Sequence, residues 1–238
     1  MNNKKVLNAV QLIELNHEKV TNAVRLIEWC LKTFGERVTL ATCFDAEGMV
    51  LLDLISQLPE KPRVFTLDTG RLPYETYELW EQAQSRYGIP IEGYSPKAEE
   101  VEDMVRDHGI NLFYNSQENR KLCCAVRKVN PLQRALTGVD AWITGLRRGQ
   151  STFRAVVKPI SAADNEGRTK VCPLADWSAD DVWDYINAKN VPYNRLHDEG
   201  YPSIGCAPCT RATGAGEHMR AGRWWWESDN MKECGLHV

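Results

Sequence analysis

The strongest constraint on the fold is an alternation of short β-rich runs with longer helical patterns. Val38-Thr-Leu-Ala-Thr leads through Cys43-Phe-Asp-Ala-Glu-Gly48 into the apolar Met49-Val-Leu-Leu-Asp-Leu-Ile. Arg63-Val-Phe-Thr-Leu ends in the polar turn Asp68-Thr-Gly70, and a helix is predicted from about Pro73 to Tyr87. A third strand at Ile91-Glu-Gly-Tyr and a helix from about Ala98 repeat the unit. Strands joined by helical crossovers pair in parallel with helices on both faces, so the predicted fold class is α/β. Ligands of such sheets bind beyond the carboxyl ends of the strands. The loops Cys43 to Gly48, Asp68 to Arg71 and Gly145 to Arg148 should therefore share one rim.

Before this core, apolar residues at helical spacing from Val6 to Phe34 predict one or two amphipathic helices. After it, Ala155–Ile160 and Arg168–Val171 read as a hairpin around Asp164-Asn-Glu-Gly167, and Ser178-x-x-Asp181 as the cap of a helix through Ile186. The expected organisation is N-terminal helices over 1–34, an α/β domain over 35–222 and a C-terminal tail over 223–238.

Charge excludes whole classes of function. Lys+Arg 29 against Asp+Glu 32 leaves −3, too near neutral for bulk-charge binding of nucleic acid, so an anion site must be a local cluster. No apolar run approaches the ~18 residues of a membrane span. Met1-Asn-Asn-Lys-Lys leads into a polar helix pattern rather than the apolar core of a signal peptide, and a cytoplasmic address is expected.

Eight cysteines in a cytoplasmic chain point to metal or redox chemistry rather than disulfides. Cys206-x-x-Cys209 presents two thiolates from one turn, and Cys123-Cys124 supplies a second pair. Adjacent side chains on a helix diverge by roughly 100°, which suits the spread corners of an iron–sulfur cubane better than one zinc ion. Spacing alone leaves zinc, or four unliganded core thiols, open. Around these pairs lie Arg127, Lys128, Arg147, Arg148, Arg154, Arg211, Arg220 and Arg223, a set suited to a phosphate or sulfate ester. Lys128 follows Cys124 by four and is expected on the same helical face.

Cys234 stands near the C-terminus in Lys232-Glu-Cys-Gly-Leu-His237, where a tail thiol can move between a site and an external partner. The run Trp224-Trp-Trp226 cannot face one way and is expected to serve packing. Cys30 is predicted in the core, and Cys43 is expected to pack with Phe44. The histidines show no metal-ligand spacing.

Taken together, Leu67-Asp-Thr-Gly-Arg71, Cys123-Cys-x-x-x-Lys128-Val-x-Pro-Leu, Trp142-Ile-Thr-Gly-Leu-Arg-Arg-x-Gln-Ser151, Ile204-Gly-Cys-x-Pro-Cys-Thr-Arg211, Gly222-Arg-Trp-Trp-Trp-Glu and Glu233-Cys-Gly-Leu-His237 resemble the assimilatory adenylyl-sulfate reductases, the iron–sulfur branch of the sulfonucleotide reductases. The resemblance implies a Rossmann-like nucleotide α-hydrolase fold with a modified pyrophosphate loop. It implies a 4Fe-4S cluster on Cys123, Cys124, Cys206 and Cys209, and Cys234 as the nucleophile. Adenosine 5′-phosphosulfate would be the substrate and thioredoxin the reductant, releasing sulfite and AMP through an S-sulfocysteine. By the same resemblance Lys128, Arg220, Arg223 and His237 would contact sulfate and phosphate, Arg154 the nucleotide, and Thr42, Leu67 and Gly145 base and ribose.

One departure is visible. Related ATP-using enzymes carry Ser-Gly-Gly-x-Asp-Ser where this chain has Thr42-Cys-Phe-Asp-Ala-Glu-Gly48, which argues against backbone cradling of a full pyrophosphate. Three alternatives remain: a reductase of the 3′-phosphorylated nucleotide or a dual-specific enzyme, a zinc-stabilised nucleotide-binding module, and a tRNA-thiolating or ATP-pyrophosphatase enzyme, which the missing glycines disfavour. Oligomeric state is open.

Overall fold

The computed structural model describes residues 3–162 and 167–227 of the chain. Helix α1 (Asn3–Phe34) is one continuous helix, and its Ala23, Ile27 and Cys30 are buried one turn apart against the sheet. Strand β1 (Val38–Thr42), helix α2 (Ala46–Ser56), strand β2 (Arg63–Leu67), helix α3 (Tyr74–Tyr87), strand β3 (Ile91–Tyr94) and helix α4 (Ala98–His108) follow as the alternation predicts. Helix α5 (Gln117–Cys124) runs through a π-helical turn into α6 (Asn130–Ala135), and then come β4 (Ala141–Ile143), β5 (Ile160–Ala162), β6 (Thr169–Val171) and helix α7 (Ala179–Lys189).

The sheet order is β3-β2-β1-β4-β6-β5, parallel throughout except that β5 runs antiparallel to β6. The hairpin is therefore real, but its first strand begins at Ile160 rather than Ala155. Thr152–Arg154 is instead wound into a 3-10 turn, and the Pro159 carbonyl accepts the Cys172 N–H just before the strand starts.

Alternation along the strands sorts two cores. Val38, Leu40, Val64, Ala141 and Ile143 face one core with α1, α2 and α7, while Phe65 and Trp142 face the other with Leu132, Ala135 and Leu136 of α6. Helix α2 is buried along nearly its whole length and is mostly apolar, with Asp53 satisfied by the Tyr185 hydroxyl at 2.7 Å. The sequence leaves β1 toward β2 on one side and reaches β4 on the other, which opens a crevice at the carboxyl ends of β1 and β4. No described helix is long and apolar enough to cross a membrane.

Helix α7 starts with the expected reciprocal cap. Ser178 Oγ accepts the Asp181 N–H at 3.0 Å, and Asp181 accepts the Ser178 N–H at 2.6 Å while also holding Lys19 of α1 at 2.5 Å. Ser178→Ala should lower unfolding free energy by about 1 kcal/mol, read as a shift in the urea midpoint at constant slope.

Candidate functional site

A cleft of about 780 Å³ occupies this crevice. All three predicted rim loops border it, through Cys43, Asp45 and Glu47, through Thr69, and through Gly145, Leu146 and Arg147. The loop after β4 comes so close to the first turn of α2 that a Cβ on Gly145 would stand 2.8 Å from that of Glu47, so only glycine fits.

The floor of the cleft is acidic. Asp45 caps α2, accepting the Gly48 N–H at 2.8 Å, and Glu47 lies in the first turn of the same helix. Arg147, 2% exposed, holds Glu47 with Nε at 2.6 Å. Asp45 has no guanidinium of its own at that distance: burial, then repulsion from Glu47, pushes its carboxyl up to about 6, against the Gly48 N–H, Arg154 and Arg147. Both carboxylates answer the positive end of α2. The helix terminus that would receive a phosphate is thus already neutralised, in keeping with the missing glycines.

The opposite end is basic. Lys128, Arg220 and Arg223 border the cleft together, and Arg154 reaches it with its guanidinium on Gln150 at 2.6 Å. Of the residues expected to contact a nucleotide, Leu67, Lys128, Gly145, Arg154, Arg220 and Arg223 are brought to this one cavity. Thr42 is not among its lining residues: its side chain is buried and its hydroxyl accepts the Phe44 N–H at 3.2 Å. His237 and Cys234 lie outside the described residues.

Behind the basic end, Cys123, Cys124, Cys206 and Cys209 border one small enclosed space with Arg71, Arg127 and Trp224. Helix α5 delivers the first pair at its last turn. The second pair is set by a 3-10 turn in which Cys209 N–H reaches the Cys206 carbonyl at 2.9 Å, and Ala207 N–H ties that turn to the Arg71 carbonyl at 2.8 Å. Thr69 Oγ1 lies 3.3 Å from the Cys206 sulfur. Burial raises the thiols of Cys123 and Cys209, the latter to about 12. For Cys206 burial acts the same way, yet Lys128, the Thr69 hydroxyl, Arg223 and Arg127 together pull its thiol below the ordinary value.

Lys128 borders both cavities. It does so by a route the i,i+4 rule does not give, since Ala125–Val129 is a π-helical turn with Asn130 N–H bonded back to the Ala125 carbonyl. Pro131, with no N–H to offer the preceding turn, follows at once. Trp224 is the second residue common to both cavities, held between the guanidiniums of Arg120 and Arg223 at 4.6 and 4.8 Å. Arg120 is fully buried and paired with Glu227 at 2.5 and 3.1 Å. Arg120 lies outside every motif picked out in the sequence, whereas Glu227 closes the Gly222-Arg-Trp-Trp-Trp-Glu motif without its partner being apparent. The available signal is that Arg120 precedes Cys123 by three, on the same face of α5.

Other expectations resolve individually. Arg127 is buried and donates to the Thr69 carbonyl at 2.7 Å, whereas Arg148 pairs at the surface with Asp176. Cys30 is core, its thiol pushed up to about 12 by burial. Cys43 is not buried with Phe44. Phe44, in a left-handed conformation at φ 56°, turns into the core against Trp80, and Cys43 is left exposed at the cleft. Trp183 and His197, edge to face at 5.1 Å, also border the cleft. Burial lowers the imidazole of His197.

Comparison with known proteins places this geometry. Residues 37–212 match the phosphoadenosine phosphosulfate reductase domain. A protein of Allochromatium vinosum named adenosine 5′-phosphosulfate reductase is 51% identical over 202 residues, covering 85% of this chain and 79% of its own. One of Burkholderia cepacia with the same name is 49% identical over 211 residues, 87% and 84% of the two chains. Among solved structures, the phosphoadenylyl-sulfate reductase of Candida auris, in a phosphate complex, superposes with a TM-score of 0.69 at 31% identity over 80% of this chain and 90% of that one. Yeast FAD synthetase shares the fold alone, with a TM-score of 0.58 at 13% identity, covering 96% and 92%. The chain belongs to the phosphoadenosine phosphosulfate reductase family.

The raised Asp45 carboxyl has a measurable consequence for stability. Between about pH 4 and pH 6 the folded chain keeps a proton that the unfolded chain has lost, so stability falls as pH rises through that window and the contribution levels off above it. Asp45→Asn keeps the cap without the charge. Denaturation midpoints of the variant should lose that part of the slope.

Proposed function

From this family membership we propose that the chain reduces adenosine 5′-phosphosulfate to sulfite and AMP at this cleft, as an oxidoreductase of sulfate assimilation. What carries the reading is the shared wall: Lys128 faces both the cleft and the four-thiol space, so one cation can act on the substrate anion and on whatever the thiols hold. The names of the relatives at about half identity support the unphosphorylated nucleotide as substrate.

Base and ribose lie toward the strand ends, at the Leu67 and Gly145 backbones. Thr42 would take part through its main chain, because its side chain is buried and does not line the cleft. Lys128, Arg220 and Arg223, joined by His237, hold the sulfate and phosphate oxygens, and Arg154 stands by the nucleotide. These cations answer charge that shifts onto the phosphate as the sulfur–oxygen bond breaks.

The chemistry belongs to Cys234. Its thiolate attacks the sulfate sulfur, the bond to the bridging oxygen breaks, and AMP leaves with that electron pair, giving an S-sulfocysteine. A thiolate of reduced thioredoxin then attacks the Cys234 sulfur, and sulfite departs with the electrons of the S–S bond. The second thioredoxin thiol frees Cys234 as thioredoxin becomes a disulfide. Two electrons pass from the dithiol to sulfur, and no other donor is required.

The four thiols suit a 4Fe-4S cluster. They border one enclosed space, and none of the described cysteines is in a disulfide. The choice of a cubane over a single zinc ion rests on the resemblance to the iron–sulfur branch of the family and on the divergence of adjacent side chains at the end of α5. When bound, the cluster would supply charge next to Lys128 rather than electrons.

With anaerobically purified protein, thioredoxin and its reductase, sulfite should form from adenosine 5′-phosphosulfate in clear preference to its 3′-phosphorylated counterpart. The reverse preference would move the reading to that nucleotide. Cys234→Ser should keep visible absorbance and nucleotide binding while losing sulfite formation, and full activity in it would sink the nucleophile assignment. Cys206→Ser should lose the visible absorbance and thermal stability together, since ligand and fold are coupled at such sites.

A further inference from the structure

The tryptophan run divides in a way that the cleft does not use. Trp224 is buried and Trp226 half-buried, but Trp225 is 39% exposed, next to Tyr114 at 43%, and Ile110, four residues before Tyr114 in the chain, is 61% exposed. Tyr114 and Trp225 form one exposed aromatic pair, and Ile110 is exposed on the segment that leads into Tyr114. The Tyr114 and Trp225 rings lie 6.3 Å apart, and the Tyr114 hydroxyl donates to the Pro208 carbonyl, inside the Cys206–Cys209 turn, at 2.9 Å. Arg71 fixes the segment that presents Ile110, donating to the Ile110 carbonyl at 2.8 Å and to Asn111 at 3.1 Å. None of the three lines the cleft or the four-thiol space, so neither nucleotide nor metal covers them.

Rigid aromatic side chains grouped at the surface have the character of an interface core, because they bring large contact area at small entropic cost. Their position selects the partner. Cys234 follows Trp225 by nine residues (234 − 225), a contour of at most about 30 Å. Whatever sits on this surface is therefore within reach of the tail thiol. A second copy of the chain seated there would cover the place from which the tail leaves. The tail itself has to enter the cleft for the first chemical step.

We propose that the Ile110–Tyr114–Trp225 surface is the docking face for the dithiol protein that reduces sulfonated Cys234, an inference that rests on the function proposed above. Seating a thioredoxin-type protein at the root of the tail raises the effective concentration of its dithiol at the S-sulfocysteine. The same tail then serves two sites in turn, the cleft for sulfonation and this face for reduction.

Trp225→Ala and Ile110→Glu, on separate segments, test this in the full-length holoenzyme. Three quantities are measured: the burst of AMP from adenosine 5′-phosphosulfate without reductant, turnover with dithiothreitol, and kcat/KM for thioredoxin. Both variants should keep the burst and the dithiothreitol rate while kcat/KM for thioredoxin falls about tenfold or more, as for loss of an anchor residue. A normal burst with unchanged thioredoxin kinetics in both variants overturns the docking face alone. Loss of the burst in the variants also overturns it, since the surface would then seat the tail. A parent enzyme without any burst overturns the reductase reading and this inference with it.

Discussion

Trp224 between two guanidiniums is the contact on which the rest of the site depends. Arg120 is sealed from solvent, and a buried cation is tolerable only when fully paired. Glu227 and the face of the indole supply that pairing. On the other side Arg223 stacks on the same ring and donates to the Ile204 carbonyl at 3.2 Å. Trp224 N–H bonds the Cys209 carbonyl at 3.2 Å, and Thr210 bridges Arg223. One aromatic ring thereby fixes helix α5 with Cys123 and Cys124, the turn with Cys206 and Cys209, and the last described stretch before the segment that carries Cys234. Desolvated cation–π contacts are worth about 2 kcal/mol each and the breaking of a buried ion pair costs about 3–5 kcal/mol, so removing Trp224 or one partner of the pair is costly.

The cleft divides charge along its length. Asp45 and Glu47 occupy the end where α2 points its positive terminus, and Arg147 neutralises only one of them. Lys128, Arg220 and Arg223 crowd the other end, against the thiol space. An anion with one bulky uncharged portion is accommodated by this polarity with its charge on the Lys128 side. A pyrophosphate cradle at α2, as the ATP-using relatives of the fold would need, has no place left. Among these cations Lys128 alone sits on the π-helical turn, and it borders both cavities.

Much of this was legible in the sequence, and for definable reasons. The strand–helix alternation dictated the parallel sheet and the rim, because crossover connections leave few other topologies. The paired cysteines marked the thiol space, since such pairs are rare without a shared partner. What escaped depends on contacts between residues remote in sequence. The Arg120–Glu227 pair spans 107 positions, and nothing local to either residue announces it. Lys128 was assigned to the correct neighbourhood by α-helical spacing, although the helix is locally π. Cys43 was expected to pack because Phe44 does, whereas the left-handed turn at Phe44 sends the two side chains apart. Thr42 enters only through the resemblance, and the bond its hydroxyl accepts from the Phe44 N–H joins positions two apart within the loop.

On the proposed reading, Cys234 takes the sulfonate in the cleft that Lys128 shares with the thiol space. That step is tested most directly by mixing anaerobic, reductant-free protein with adenosine 5′-phosphosulfate and mapping the product by peptide mass spectrometry. The account predicts one sulfonate per chain, on the peptide carrying Cys234, matched by an equal release of AMP. A sulfonate on Cys43, which also borders the cleft, or AMP release with no sulfonated cysteine, would contradict it.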